Sequence, residues 1–281
     1  MKTIITKEEI LKRYQFVKND AHKGTQGHAL LIGGSYGKIG AMVLSSKAAL
    51  KSGCGLVTVF VPKQGMNIVQ SAFPEAMALA DENEHHITNI NFEIIPKAIA
   101  VGMGMGEDEA TQKSFHKFLQ KNEKPLLIDA DGINILSKNK NWISLLSPKT
   151  ILTPHFKELE RLLGSWNSEA EKLQMAHKFS LENNLILVVK GAPTFIIDGE
   201  KIYENTTGNP ALATAGSGDV LSGIITSFIA QAYEPIDAAI LGVFIHGLTA
   251  DLALPKTGHR SFIASDIINY LCKAFLYLEK K

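Results

Sequence analysis

Two hydrophobic rhythms alternate along the chain. Short, nearly continuous apolar runs recur at His28–Ile32, Leu56–Val61, Ala98–Val101, Pro125–Ile128, Thr150–Leu152 and Leu185–Val189. Between them lie stretches with helical spacing, including Ile39–Lys51, Glu109–Gln120, Lys157–Leu163 and Ser168–Glu182. Apolar runs of strand length without polar alternation are buried on both faces, and intervening helices make the crossovers of a parallel sheet. The pattern predicts an α/β fold: a mostly parallel central sheet with helices on both faces. Phe195–Ile197 and Lys201–Glu204, joined by Asp198-Gly199, read as an antiparallel hairpin added at one edge. The last third is helical, at Ser217–Gln231, Ile236–Ala253 and Ala264–Leu278, and the opening MKTIITKEEILKRY reads as a short helix. With no linker, low-complexity tract or repeat, residues 1–281 are expected to form a single domain.

Composition changes this picture little but excludes several functions. Apolar residues make up 45% of the chain and charged residues 20%, enough for a large core and incompatible with global disorder. Lys and Arg number 29 against 28 Asp and Glu, a formal net charge of +1. That balance argues against nucleic acid as a partner and leaves room for a local anion site. Cys54 and Cys272 lie far apart and read as reduced thiols. The start lacks a signal-peptide core, and the uncharged stretch Val220–Tyr233 is too short to span a bilayer. A soluble cytoplasmic protein without a membrane partner is the expectation.

Ligands of open parallel sheets bind outside the carboxyl ends of the strands. The segments that follow the runs are Gly33-Gly34-Ser35-Tyr36-Gly37, Gly102-Met103-Gly104-Met105-Gly106, Asp129-Ala130-Asp131-Gly132, Thr153-Pro154-His155 and Lys190-Gly191-Ala192-Pro193-Thr194. Each combines glycine or proline with polar groups. Glycine ends many strands for purely structural reasons, but five such segments in succession point to a ligand site. The stretch NTTGNPALATAGSGDVLSG, Asn205 to Gly223, is more specific. Its Ala215-Gly216-Ser217-Gly218-Asp219 directly precedes an apolar helical pattern. Successive N–H groups there can face one anion, reinforced by the helix dipole. An aspartate at such a site needs a task, either as helix cap or as base for a hydroxyl meeting a phosphoryl group. Two familiar phosphate motifs are absent. Gly37-Lys38 is followed by Ile39, which breaks a Walker A loop, and both GxG pairs lack their third glycine, with Leu221 or Glu107 in its place.

The set HKGTQGHALLIGGS, LIDADGIN, LTPHFKELERL, VVKGAPTFI and GNPALATAGSGDVLSG resembles the ADP-dependent NAD(P)H-hydrate dehydratases of the ribokinase-like superfamily, from His22 to about His246. The resemblance implies a ribokinase-like fold and repair of hydrated nicotinamide cofactors, NADHX and NADPHX, with the S epimer as the substrate. Two departures stand out. The family's Thr-Pro-His-Pro-Gly-Glu reads Thr153-Pro154-His155-Phe156-Lys157-Glu158, and its Gly-Pro-Gly-Leu-Gly reads Gly102-Met103-Gly104-Met105-Gly106. Many members carry an N-terminal epimerase domain. The segment before His28 is too short for one, so pairing with a separate epimerase is expected, and a homotetramer is implied.

The implied chemistry phosphorylates the hydrate hydroxyl with ADP, so that phosphate leaves and the ring double bond returns. By resemblance, Asp219 is the base, and Gly216 and Gly218 belong to the anion cradle. Lys190, Gly191, Ala192, Pro193, Thr194 and Gly218 would line the nucleotide site, while Ala41, Gly104, His155 and Asp219 would contact the hydrated dinucleotide. A Mg²⁺ would neutralise the phosphates, with Glu158 holding it through water; Asp129 and Asp131 are weaker candidates. Glu158 also reads as a plain surface carboxylate on a helix, and Lys190 as a snorkelling surface lysine. His246, inside an apolar helical face, reads as core. A kinase for a hydroxymethylpyrimidine or hydroxyethylthiazole alcohol, or a non-catalytic nucleotide-binding module, would present the same cradle.

Overall fold

The computed structural model describes residues 2–280. The six apolar runs become β2 (His28–Ile32), β3 (Leu56–Val61), β5 (Ala98–Val101), β6 (Leu126–Ile128), β7 (Ile151–Leu152) and β8 (Ile186–Val189). Alternate residues of these strands face two separate cores, which is why the runs are continuous. Leu31, Val59, Ala100, Leu127 and Val188 enter one core, and Ile32, Phe60, Val101, Ile128 and Val189 enter the other. The first core is closed by α2 (Gly40–Lys51), α8 (Ser217–Ala230), α9 (Pro235–Thr257) and α10 (Ala264–Glu279). The second is closed by α4 (Glu109–Leu119), α5 (Asp131–Lys138), α6 (Phe156–Leu163) and α7 (Glu169–Asn183).

Three elements were not legible. The opening is not all helix: Lys2–Ile5 is β1, and only Lys7–Leu11 forms α1, capped by Thr6. The structure also has α3 (Lys63–Ala72) and the short strand β4 (Met77–Ala80). The hairpin is β9 (Phe195–Asp198) and β10 (Lys201–Asn205), but it is not the sheet edge. β1 pairs in parallel with β10, Lys2 opposite Ile202 and Ile5 opposite Asn205. The ten strands run β1-β10-β9-β8-β7-β6-β5-β2-β3-β4, with only the β8–β9 and β9–β10 pairs antiparallel. Helix α9 is long and apolar enough to cross a membrane by length and composition, yet 78% of its apolar window is buried inside the fold. It is a core helix.

Helices α2 and α8 approach closely through Gly223. A Cβ there would stand 2.1 Å from the Ser45 carbonyl oxygen, a backbone atom that cannot swing away. Gly40, the first residue of α2, has open space around its Cβ direction. Gly223→Ala is expected to separate the two helices and lower Tm by roughly 3–10 °C, the range for overpacking a core. Gly40→Ala should leave Tm unchanged or raise it. Equal Tm values for the two variants in calorimetry would contradict the close α2–α8 approach.

Candidate active site

The carboxyl ends of β6, β7 and β8 open into a cavity of about 1110 Å³. Its walls come from the Asp129–Ala130, His155–Glu158 and Lys190–Thr194 segments, the Asn205–Pro210 loop and the start of α8. The predicted nucleotide residues Lys190, Gly191, Ala192, Pro193, Thr194 and Gly218 are therefore together, with His155, Glu158 and Asp219.

At the centre is a cluster of three carboxylates and one ammonium. Lys190 Nζ donates to Asp129 Oδ1 at 2.9 Å and stands 3.9 Å from Glu158 Oε2. Asp129 is 1% exposed, and its other oxygen accepts from Ser222 Oγ of α8 at 2.7 Å. Burial pulls the Lys190 pKa down, but Asp129, Glu158 and Asp219 outweigh it and hold the ammonium charged. Lys190 is thus an ion-pair centre and not a snorkelling surface lysine. Burial and the charge of Asp129 raise the Glu158 carboxyl, against the pull of Lys190. Asp219 is pushed up to about 7, first by burial and then by Asp129, with Lys190 only partly compensating. One ammonium cannot satisfy three carboxylates, and Asp219 is left near neutrality.

The cap position of α8 belongs to Gly216, in the left-handed region at φ 84° and without a side-chain cap bond. Asp219 is the third helical residue, so it is not the helix cap. The first helical bond runs from Val220 N to the Gly216 carbonyl at 3.1 Å. The N–H groups of Gly218 and Asp219 precede it and lack intrahelical acceptors. Both residues line the cavity. The positive φ that only glycine tolerates easily falls on Gly216. Gly218 is helical, and a Cβ there would stand 3.3 Å from Lys190 Nζ.

His155 is a structural group as well as a wall residue. Its Nδ1 accepts from the N–H groups of Lys157 and Glu158 at 3.1 and 3.3 Å, while Glu158 Oε2 accepts from His155 N at 2.7 Å. This capping box fixes the turn into α6. Glu158 is only 4% exposed and is no surface carboxylate. His246 is more than core packing. From α9 it lines the cavity floor, with Nε2 at 3.0 Å from the Ser217 carbonyl and 3.2 Å from Ser217 Oγ. Burial pushes it down to about 4, so at neutral pH the uncharged ring donates to that carbonyl and steadies the cradle. Sequence reasoning also missed Asp251, which receives Gly208 N and Asn209 Nδ2 at 2.8 and 2.9 Å and ties the cavity loop to α9.

Ala41 and Gly104 lie apart from this cavity, beside one another in the crevice between β2 and β5. A Cβ on Gly104 would meet the Lys38 carbonyl at 2.9 Å and Ala41 Cβ at 3.2 Å. Asp131 serves the same crevice: its Oδ2 accepts from Gly106 N at 2.8 Å and faces Lys38 Nζ at 3.4 Å. Asp131 and Asp129 are thus engaged in internal bonds. Among the described residues, no three His, Cys, Asp or Glu side chains converge closely enough to hold a metal ion by themselves. That donor set fits a Mg²⁺ brought in on phosphates, which keeps most of its waters and needs one or two carboxylates, and does not fit a resident ion. Glu158 lies on the cavity wall beside Lys190.

The raised Asp219 pKa has a consequence for stability. Between the ordinary 3.8 and about 7, the folded chain holds a proton that the unfolded chain has released. Stability contributed by neutral Asp219 is complete below that window and lost as pH rises through it. Asp219→Asn stays neutral throughout, so its Tm relative to the parent should be near zero at pH 4 and increasingly positive towards pH 8. A pH-independent difference in thermal melts would show that Asp219 titrates normally.

Known proteins resemble the chain over most of its length. The family described as NAD(P)H-hydrate dehydratase matches residues 29–273. The bifunctional NAD(P)H-hydrate repair enzyme Nnr of Moorella thermoacetica is 36% identical over 96% of this chain and 53% of its own, so the chain spans about half the length of such relatives. An ADP-dependent (S)-NAD(P)H-hydrate dehydratase of Neisseria meningitidis is 36% identical over 85% of this chain and 81% of its own. Among solved structures, the ADP/ATP-dependent NAD(P)H-hydrate dehydratase of Bacillus subtilis, co-crystallised with ATP and Mg²⁺, superposes with a TM-score of 0.84 at 25% identity over 99% of both chains. A hydroxyethylthiazole kinase of Pyrococcus horikoshii shares the fold alone, at a TM-score of 0.66 and 17% identity over 94% of this chain and 92% of its own. With its ribokinase-like sheet and a family match over most of its length, the chain belongs to the NAD(P)H-hydrate dehydratase family.

Proposed function

We propose that this chain dehydrates (6S)-NADHX and (6S)-NADPHX to NADH and NADPH, consuming ADP and releasing AMP and phosphate. The observation that carries the proposal is Asp219: a carboxylate with no capping role, held near pKa 7, beside unpaired N–H groups at a helix N-terminus. A base is most effective when its pKa lies near the working pH.

Asp219 accepts the proton of the hydrate hydroxyl as its oxygen bonds to the terminal phosphorus of ADP and the bond to AMP breaks. The N–H groups of Gly218 and Asp219 hold the charge on the transferred phosphoryl, and Lys190 adds a fixed positive charge beside them. The ring nitrogen lone pair then expels phosphate, and loss of the neighbouring ring proton restores the double bond. Mg²⁺, when bound with the nucleotide, neutralises its phosphate oxygens, with Glu158 as the carboxylate that would hold it through water.

The direct experiment supplies NADHX with ADP and follows the return of NADH absorbance. No NADH, with nucleotide consumed only when a small alcohol is added, would mean a kinase instead. Asp219→Asn is expected to lose at least about 10²-fold in turnover while retaining ADP binding, and the parent's kcat/KM should rise through pH 7 as Asp219 ionises. Activity within a few-fold of the parent would remove Asp219 from the mechanism. One stereochemical outcome follows from a single base in line with a single phosphoryl position: only one hand of the hydrated carbon reacts. A mixed-epimer NADHX sample should be consumed fast in part, the remainder following slow spontaneous epimerisation, and added epimerase should abolish the slow phase. Rapid, complete conversion by the purified chain would contradict the one-handed site.

A further inference from the structure

The cavity contains one feature that the chemistry above leaves unused. Phe156, the first residue of α6, is 52% exposed and lines the cavity wall next to His155. It is the one Phe, Tyr or Trp side chain among the described residues that do so. Its ring does not hang free. Trp166 meets it edge-on at 5.1 Å with an interplanar angle of 76°, and Trp166 is itself half-buried against the second core. A T-shaped pair restrains the plane of the ring, and Phe156 nevertheless stays half exposed. The backbone below it is held by the His155–Glu158 capping box.

We propose that Phe156 is a platform for a planar heteroaromatic ring, the base or pyridine ring of a nucleotide bound in this cavity. The proposal rests on the reading of the cavity as a nucleotide and dinucleotide site. The rest of the wall explains why a ring belongs there. The Lys190–Thr194 turn and the start of α8 supply backbone groups and charge suited to phosphates. A nucleotide's rings need flat apolar contact; elsewhere the cavity offers aliphatic patches such as Pro193, Leu212 and Val243, and its two imidazoles are engaged, His155 in capping α6 and His246 against Ser217. Stacking is tolerant of ring identity because every base has a π-face. Phe156 also stands where the resembling family has proline, so the contact would be a property of this chain and relatives that share the aromatic residue.

The two possible ring sources separate experimentally. ADP affinity is measured by calorimetry, and the NADHX KM at saturating ADP, for the parent and for Phe156→Ala, Phe156→Pro and Phe156→Tyr. Proline is acceptable at a first helical position, so the Pro variant keeps the test valid if Ala loosens the helix start. Inorganic pyrophosphate, which has no ring, serves as the control ligand. If Phe156 stacks, Ala and Pro weaken one of the two constants by roughly 5- to 100-fold, the span measured for single-base stacking. In that case kcat falls far less, Tyr restores the parent value, and pyrophosphate affinity does not change. Weakening of ADP alone assigns the ring to adenine of the co-substrate, and weakening of the NADHX KM alone assigns it to the dinucleotide. Constants within twofold for all variants of an active parent overturn the platform and leave the proposed reaction standing. Equal loss of pyrophosphate and ADP binding also overturns it, because the residue would then shape the phosphate loop. So does a change in sedimentation mass with unchanged ligand constants, which would place the ring between copies of the chain. A parent that neither binds ADP nor converts NADHX overturns both readings.

Discussion

Everything at this site depends on three carboxylates sharing one half-buried ammonium. Asp129 is bound by both Lys190 and Ser222, and Glu158 is bound to the backbone of His155 with Lys190 in reach. Asp219 shares the same field with neither bond. Removing Lys190 would leave the other two buried charges uncompensated, which is why the lysine must be present although it forms no part of the glycine-rich cradle. The cluster therefore both holds β6, β7, β8 and α8 together and sets the basicity of Asp219. The same side chains that join these elements act with burial to raise the Asp219 carboxyl.

The topology explains why those side chains meet. Strands β2, β3 and β4 proceed one way across the sheet, and β5 to β8 the other, so the order reverses between β2 and β5. The crevice at that reversal is where open α/β sheets bind ligands. Here it holds Gly104, Ala41 and Lys38, closed by Asp131. The cavity is displaced along the same edge to β6–β8, with the Asn205–Pro210 loop in its wall. The motif Asp129-Ala130-Asp131 stands between the two, one aspartate serving each side. Ala130 connects them with φ 49°, a backbone conformation rare for a residue with a side chain. Strain of this kind persists where the surroundings over-determine it, here by bonds on both flanking aspartates.

The parallel sheet and most crossover helices were legible because each strand is buried on both faces and each helix has one apolar side. The site segments were legible for a related reason: glycine and polar residues at strand ends contrast with the runs before them. What escaped was set by long-range contact. β1 has one fully buried side chain, Ile5, and becomes a strand only because β10 offers an open edge roughly 200 residues later, where Thr206 Oγ also reaches the Ile5 carbonyl. β4 is a partly exposed edge strand with no distinctive pattern. His246 looked like core because its helical neighbours are apolar; nothing local reveals that its ring reaches Ser217. The burial of Glu158 was hidden likewise, since an acidic residue in a first helical turn is ordinarily solvated.

Glu158 also accounts for how this chain tolerates its most visible departure from the family pattern. A Pro-Gly pair after the histidine would fix the turn by restricting φ at one position and freeing it at the next. Phe156-Lys157 does neither. The turn is held by side chains instead: His155 Nδ1 receives the N–H groups of Lys157 and Glu158, and Glu158 returns the bond to His155 N. Reciprocal capping needs only the i, i+3 spacing of histidine and glutamate, which this chain keeps. The residues between are thereby released from a backbone role. One of them, Phe156, places an exposed aromatic ring on the cavity wall, where Trp166 packs against it in a T-shaped pair while the capping box holds the backbone beneath.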